Sequence, residues 1–144
     1  MRNAKTKAGD KAVFWLRVAY WVGAIFDALT LIPILVPSVG ARVFGLADFT
    51  PGPEYRYAMG LAAALMLGWT FLLLWADRKP VERRGVLPLT VVVVIGLAAA
   101  GAYAVGVGVV SAERMALTWI FQAVISSLYM SAYLRARKIG ATLD

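Results

Sequence analysis

Four long apolar runs, separated by short polar segments, dominate the pattern of this chain. We place them at about residues 13–36, 57–76, 86–110 and 115–134. Each run is about 20–25 residues long, and at about 1.5 Å of rise per residue it covers the roughly 30 Å hydrocarbon core of a bilayer. Helices of soluble proteins are rarely so apolar on every side. The pattern predicts an all-α, four-helix transmembrane bundle that forms one integral membrane domain over residues 1–144.

The first apolar run also has features of a cleaved signal peptide. A basic leader precedes it, and Val39-Gly40-Ala41 resembles a small-residue cleavage site. The run is longer than the apolar part of a signal peptide, however, and it contains Asp27 and Pro33. We therefore interpret it as a membrane-spanning helix.

Basic residues are concentrated on one predicted side of the bundle. That side holds Arg2, Lys5, Lys7, Lys11, Arg78, Lys79, Arg83, Arg84, Arg135, Arg137 and Lys138, whereas the other side holds Arg42, Arg56 and Arg114. The positive-inside rule then places both termini and the middle link in the cytoplasm. The five tryptophans mostly fall toward the ends of the spans, as an aromatic belt does, and are interpreted as interface anchors.

Composition narrows the chemistry. The chain is 61% hydrophobic with a net charge of +7, and its basic residues lie in short segments between apolar runs. This arrangement is typical of contact with anionic lipid head groups, so we expect a lipid bilayer and no nucleic acid as partner. The chain contains no Cys or His, the usual ligands of transition metals and the usual neutral-pH base. We expect no metal, no cofactor and no catalytic residue.

The first external link, about residues 37–56, is longer than the link at 111–114. Its segment 41–46 mixes apolar residues with Arg42, which predicts a short helix lying in the membrane interface. Residues 49–53 contain two prolines and a glycine and predict a rigid turn before the second span. The link is interpreted either as a connector anchored by its aromatic residues or as a lid over the outer mouth of the bundle.

Small residues recur at four-residue spacing in the second and third spans. They are Gly60, Ala64 and Gly68 in the second span, and Gly96, Ala100, Ala104 and Gly108 in the third. Such stripes let helix backbones approach closely inside a membrane. They predict that spans two and three pack together, or that one stripe forms a homodimer.

One acid, Asp27, lies near the middle of the first span. A carboxylate at this depth costs roughly 2.5–3.5 kcal/mol on insertion scales, and it is rarely present without a partner or a function. Helical spacing puts Tyr20, Gly23, Thr30 and Ile34 on the same face as Asp27. Pro33 lacks an N–H and kinks the helix beside this acid.

The fourth span carries a second polar stripe at similar spacing. Its members are Thr118, Gln122, Ser126, Tyr129 and Tyr133. The helical rise puts Asp27 ~14 Å and Gln122 ~10 Å below the outer ends of their spans, and Tyr103 at a similar level. We therefore predict a polar layer of Asp27, Thr30, Tyr103, Thr118 and Gln122 in the outer half of the bundle. The wider ligand site adds Tyr20 and Ser126, with Glu54 and Arg56 at its outer entrance.

Two interpretations of the Asp27 layer stay open. In the first, the layer binds a cation or an amine-bearing amphipathic molecule, or exchanges a proton for one, because loss of hydration disfavours a carboxylate. In the second, Asp27 only fixes helix register by bonding Gln122, Tyr103 or Thr30, and the protein is a structural or accessory subunit that acts through helix contacts. A membrane enzyme acting on lipids is the weakest alternative, since only scattered acids and hydroxyls are available.

The sequence resembles the DoxX-like group of small bacterial four-span membrane proteins. The resemblance is carried by Phe44-Gly45 in the first external link and by Tyr55–Leu61, which open a Gly/Ala-rich second span followed by a charged link. It covers about the first two-thirds of the chain. The resemblance implies the fold and no particular chemistry, and no functional residue is carried over. The compactness of the chain and its lack of eukaryotic targeting signals favour a prokaryote, and we expect a multi-pass protein of the inner membrane.

Overall fold

The computed structural model describes residues 2–46 and 49–140. Within these residues the chain forms five α-helices: α1 (Arg2–Leu35), α2 (Pro37–Phe44), α3 (Pro53–Asp77), α4 (Val86–Gly106) and α5 (Ala112–Gly140). The segments long and apolar enough to cross a membrane are Gly9–Leu35, Pro53–Asp77, Val86–Gly106 and Ala112–Lys138. The predicted all-α fold with four long apolar helices is confirmed.

The helix ends differ from the predicted spans in both directions. Helices α1 and α5 continue past their apolar runs to Arg2 and Gly140, because Lys and Arg are good helix formers once outside the hydrocarbon. Helix α4 ends at Gly106, earlier than the predicted 110. Gly108 has a φ of 76°, a left-handed conformation that stops the helix although the neighbouring valines are apolar. Apolar composition therefore overestimated the length of α4.

The predicted short helix of this link is present as α2, but it begins and ends earlier than residues 41–46. It starts with Pro37 in its first turn, a position where the missing N–H is harmless. Gly40 is buried against the end of α1, where an added Cβ would lie 2.7 Å from the Pro33 carbonyl oxygen. This close approach holds α2 across the last turn of α1.

The segment predicted as a turn over residues 49–53 is non-helical at residues 49–52, while Pro53 already belongs to α3. Gly52 precedes Pro53, which occupies the first turn of α3. The Phe49 ring meets the Tyr55 ring edge-on at a centroid distance of 4.9 Å. This contact joins the turn to α3. Residues 47 and 48 of the same link, including Asp48, lie outside the described residues.

Three pairs of long helices pack closely: α1 with α3, α1 with α5, and α4 with α5. Helices α3 and α4 are not a closely packed pair. Gly60, Gly68 and Gly96 have open space where a Cβ would stand, and their stripes face mostly outward. The prediction that the second and third spans pack through these stripes is wrong. Bulky side chains of α3 instead pack against α1, which contacts both α3 and α5.

The two ends of the bundle differ. The end of the bundle at which α3 ends and α4 begins is called the basic end. The opposite end, which carries α2, is called the α2 end. The largest fully buried side chains, Leu16, Tyr20, Leu73, Leu87 and Tyr129, belong to one hydrophobic core. Most of this core lies in the half of the bundle nearer the basic end. All four long helices contribute to it, so the bundle is tightly closed there.

Polar side chains also join α1 to α3 at the basic end. Asp77 Oδ2 accepts a 3.1 Å hydrogen bond from Trp21 Nε1, and Asp77 Oδ1 lies 3.9 Å from Arg17 Nε. An exposed ion pair such as Arg17–Asp77 contributes little energy, about 0–1 kcal/mol. Together the two Asp77 contacts align α3 with α1 at this end. Separately, the Arg83 guanidinium of the α3–α4 link stacks 3.4 Å above the centre of the Trp75 ring of α3.

A cavity lined by Asp27

A cavity of about 430 Å³ lies between the four long helices, midway along the bundle. It falls within the roughly 300–1,000 Å³ typical of small-molecule sites. Its wall is mostly apolar. The polar side chains on it are Asp27 and Thr30 of α1, Trp69 of α3, Thr90 of α4, and Thr118, Gln122 and Tyr129 of α5.

Helix α1 presents Asp27, Thr30 and Ile34 to the cavity, one helical turn apart. The Thr30 hydroxyl donates a 2.8 Å hydrogen bond to the Phe26 carbonyl within the same helix. The hydroxyl proton of Thr30 is therefore already used in a hydrogen bond. The Asp27 side chain is half-buried, and its Oδ2 atom is fully buried without any hydrogen-bond partner. This carboxyl oxygen is an unused acceptor.

Helix α5 forms the neighbouring wall with Thr118, Gln122 and Tyr129. Gln122 Oε1 is a second buried acceptor without a hydrogen-bond partner. The Tyr129 phenol lines the same cavity as Asp27. Gly23 makes room for it, because a Cβ at this position would collide with the Tyr129 hydroxyl and lie 2.9 Å from Leu73 Cδ1. The acid, the amide and the phenol thus gather on two adjacent walls.

Sequence reasoning missed the contributions of α3 and α4. Trp69 Nε1 donates a 3.3 Å hydrogen bond to Thr90 Oγ1, and the Thr90 hydroxyl donates to the Val86 carbonyl at 2.9 Å. Trp69 is therefore a cavity residue rather than an interface anchor. The available signal was Thr90, a hydroxyl among apolar neighbours that shares one face of α4 with Val94 and Leu97, and sequence reasoning did not use it.

Four members of the predicted polar layer line this cavity: Asp27, Thr30, Thr118 and Gln122. Tyr103 does not line it and is 73% exposed. Gly101 faces α5, where an added Cβ would lie 3.0 Å from Met115 Sδ. Two residues later, about 200° around the helix, Tyr103 points away. Its depth was predicted from the helical rise, but its direction could not be.

Three other candidate residues lie outside the cavity. Ser126 lines an adjoining groove between α4 and α5 that also contacts Gln122. Tyr20 is buried toward the basic end, where its hydroxyl donates a 3.0 Å hydrogen bond to the Arg83 carbonyl. Glu54 is exposed in the first turn of α3. Tyr20 shares the face of Asp27, but two helical turns separate them, so the shared face leads to a different neighbour.

The chemistry of the cavity is that of a hydrogen-bond acceptor site in an apolar chamber. Among the described residues that line it, Asp27 is the only acid. No group of three or more metal-ligating side chains occurs within residues 2–46 and 49–140. Leaving a buried acceptor unpaired costs roughly 1–3 kcal/mol, so Asp27 Oδ2 and Gln122 Oε1 favour a guest that brings N–H or O–H donors.

Comparison of the chain with protein-family models, with curated proteins and with solved structures finds no match. The resemblance to the DoxX-like group therefore stays a prediction. Fold and cavity together define a class: a multi-pass helical membrane protein with a polar site inside a mostly apolar chamber.

Proposed function

We propose that this protein is a non-enzymatic membrane protein that binds a small cationic amphipathic molecule in the cavity lined by Asp27. The observation that carries the proposal is the pair of buried, unpartnered acceptors, Asp27 Oδ2 and Gln122 Oε1, on a mostly apolar wall. An ammonium group supplies several N–H donors and a charge opposite to that of the carboxylate. The apolar wall accommodates the hydrocarbon part of the same molecule.

Binding is the step that the arrangement favours; transport requires more. The core around Leu16, Leu73 and Leu87 closes the bundle between the cavity and the basic end. A molecule that crossed the membrane would have to separate α1, α3 and α4 at this core. We propose binding as the primary function and transport as a further step that depends on opening it. The prokaryotic inner membrane is the proposed location.

Thermal unfolding in phosphatidylcholine nanodiscs tests the binding proposal. Dodecylamine should raise the unfolding temperature in a saturable way, whereas dodecanol, which lacks the charge, should raise it much less. Asp27→Asn should lower the apparent affinity for dodecylamine about tenfold or more, which is the loss expected when a hydrogen bond to a charged group is removed.

Glu113→Gln is the matched control for Asp27→Asn. It removes one carboxylate from an exposed position in the first turn of α5, away from the cavity. The amine partitions equally into nanodiscs that hold either variant, so a difference between them reports the site. Equal stabilisation of Asp27→Asn and the unaltered protein would refute the binding proposal.

An accessory role through helix contacts is the second candidate. It is favoured by the outward position of Gly60, Ala64 and Gly68, which leaves a strip of small residues on α3 open to a neighbouring helix. A second copy of this chain or another membrane helix would pack there. Disulfide cross-linking of Gly60→Cys in native membranes tests whether a second copy packs there: a cross-linked dimer supports this, and an exclusively monomeric product argues against a second copy.

A further inference from the structure

The cavity is least closed on the side between α3 and α4, since α1 and α3, α1 and α5, and α4 and α5 are the pairs of long helices that pack closely. A groove between α4 and α5 adjoins the cavity at Val94 and Gln122, so that side is only partly closed. Between α1 and α5 the Phe26 and Phe121 rings meet at a centroid distance of 4.4 Å.

Helices α3 and α4 meet toward the basic end and separate beyond it. Near the basic end they are joined by the Trp69–Thr90 hydrogen bond and by the core that contains Leu73 and Leu87. Further along, Leu65 and Leu97 both line the cavity and are both exposed, at 76% and 47%. A residue that faces both the chamber and the exterior marks an edge of an opening unless a side chain opposite closes the gap, as the contact between the partly exposed Phe26 and Phe121 rings does between α1 and α5. We call the gap between Leu65 and Leu97 the mouth.

The depth of the mouth determines what it faces. Leu65 lies midway along α3, roughly 18 Å from either end by the helical rise. The hydrocarbon core of a bilayer is about 30 Å thick, so this level is at its centre. The mouth therefore opens toward acyl chains and not toward water. The unpartnered acceptors of Asp27 and Gln122 belong to α1 and α5, the helices behind the chamber.

From this arrangement we infer that the ligand is a single-chain amine lipid that enters sideways from the bilayer, with its amine at Asp27 and its alkyl chain left projecting through the mouth. The inference rests on the proposed function and adds the ligand class and its route. An amine head satisfies the acceptors at the back of the chamber. The part of the tail next to the amine lies in the apolar mouth, and the rest stays in the hydrocarbon of the bilayer. The far end of the tail therefore never has to fit inside the protein.

A tail-labelled amine tests the inference. Dodecylamine with a pyrene group at the end of its chain is too bulky for a closed chamber, yet an open mouth leaves the pyrene in the bilayer. In phosphatidylcholine nanodiscs, with unfolding followed by circular dichroism, the pyrenyl amine should bind within about threefold of dodecylamine. A rigid closed cavity would reject the extra rings and weaken binding about tenfold or more. That result would overturn the inference, whether the chamber is closed or a second copy covers the mouth.

Narrowing the mouth provides the second arm. Leu65→Trp combined with Leu97→Trp should weaken binding of the pyrenyl amine by about tenfold. Leu117→Trp is the matched control, because Leu117 is 74% exposed on α5 and does not line the cavity. It should leave binding unchanged. Equal binding by the double variant and the control would also overturn the lateral route.

The two proposals fail in different ways. If Asp27→Asn does not weaken dodecylamine binding, the proposed function itself is refuted. If dodecylamine binding depends on Asp27 but the pyrenyl amine is excluded, the site stands and the open mouth is wrong. If both amines bind and both lose affinity in Asp27→Asn, the site and its lateral opening are supported together.

Discussion

Asp27 and Gln122 show how much single residues revealed before the fold was known. An acid within an apolar span and an amide within a polar stripe were each conspicuous, and their depths were comparable by counting helical rise. The structure puts both on the wall of one cavity and leaves an acceptor of each without a partner. The alternative interpretation required a hydrogen bond from Asp27 to Gln122, Tyr103 or Thr30, and Asp27 Oδ2 makes none.

Gln122 gives a prediction in which stability and binding change in opposite directions. Gln122→Leu removes the unpartnered buried carbonyl and keeps a similar volume, so the ligand-free protein should become more stable, by up to about 1–3 kcal/mol. Stabilisation by dodecylamine should fall, because an acceptor is lost. Both are measured by unfolding in nanodiscs with and without the amine.

Thr118→Val is the control for this change, since it removes a hydroxyl one turn away on the same wall. Its effect on the ligand-free protein should be smaller. A ligand-free protein destabilised by Gln122→Leu would mean that the amide is bonded in the membrane, and the unused-acceptor argument would then rest on Asp27 alone.

At the scale of helices, the sequence predicted well which helices form but poorly which face of each helix points into the bundle. The four long helices and the short α2 follow from apolar runs, prolines and glycines. The inward face of α1 was predictable because Asp27 and Thr30 stand out against apolar neighbours. Helix α4 offers only Thr90 and Tyr103 as polar side chains, and the helical twist puts them on different faces, so the sequence did not show which of the two points inward.

Glycine spacing was the most misleading signal at this scale. The regular stripes of α3 and α4 face open space, whereas Gly23 and Gly40, which allow close helix contacts, belong to neither stripe. Gly23 accommodates the Tyr129 hydroxyl of α5 and Leu73 of α3. Close packing depends on which large side chain lies opposite, and spacing along one helix does not encode that.

Gly23 therefore provides a test of helix packing. Gly23→Ala forces Tyr129 and Leu73 to move, and overpacking of this kind costs typically about 1–3 kcal/mol. Gly68→Ala is the matched control: its Cβ meets nothing within 4 Å, and alanine favours the helix, so stability should stay the same or rise. Unfolding by increasing SDS in mixed micelles measures both. Equal stability of the two variants would contradict the close α1–α5 contact.

At the scale of the whole molecule, the bundle is a chamber closed at the basic end and open between α3 and α4. Neither feature could be predicted by counting spans, because both depend on which helices are neighbours. The sequence left that choice open, and its small-residue stripes suggested a contact between α3 and α4 that would have closed the mouth. The chamber exists because α1, and not α4, packs along α3.

The orientation of the chain decides which compartment the α2 end faces, and the absence of cysteine makes it directly measurable. Basic residues in both termini and the middle link predict that the basic end is cytoplasmic. In intact bacterial cells a membrane-impermeant maleimide should label Ser111→Cys, in the link between α4 and α5. It should label Lys11→Cys and Glu82→Cys only after the membrane is permeabilised. All three positions are exposed, so differences in labelling report sidedness rather than burial. Labelling of Lys11→Cys in intact cells would show that the topology is the reverse of the predicted one. The closed core would then face the outside, and any water-borne ligand would have to approach past α2 from the cytoplasm.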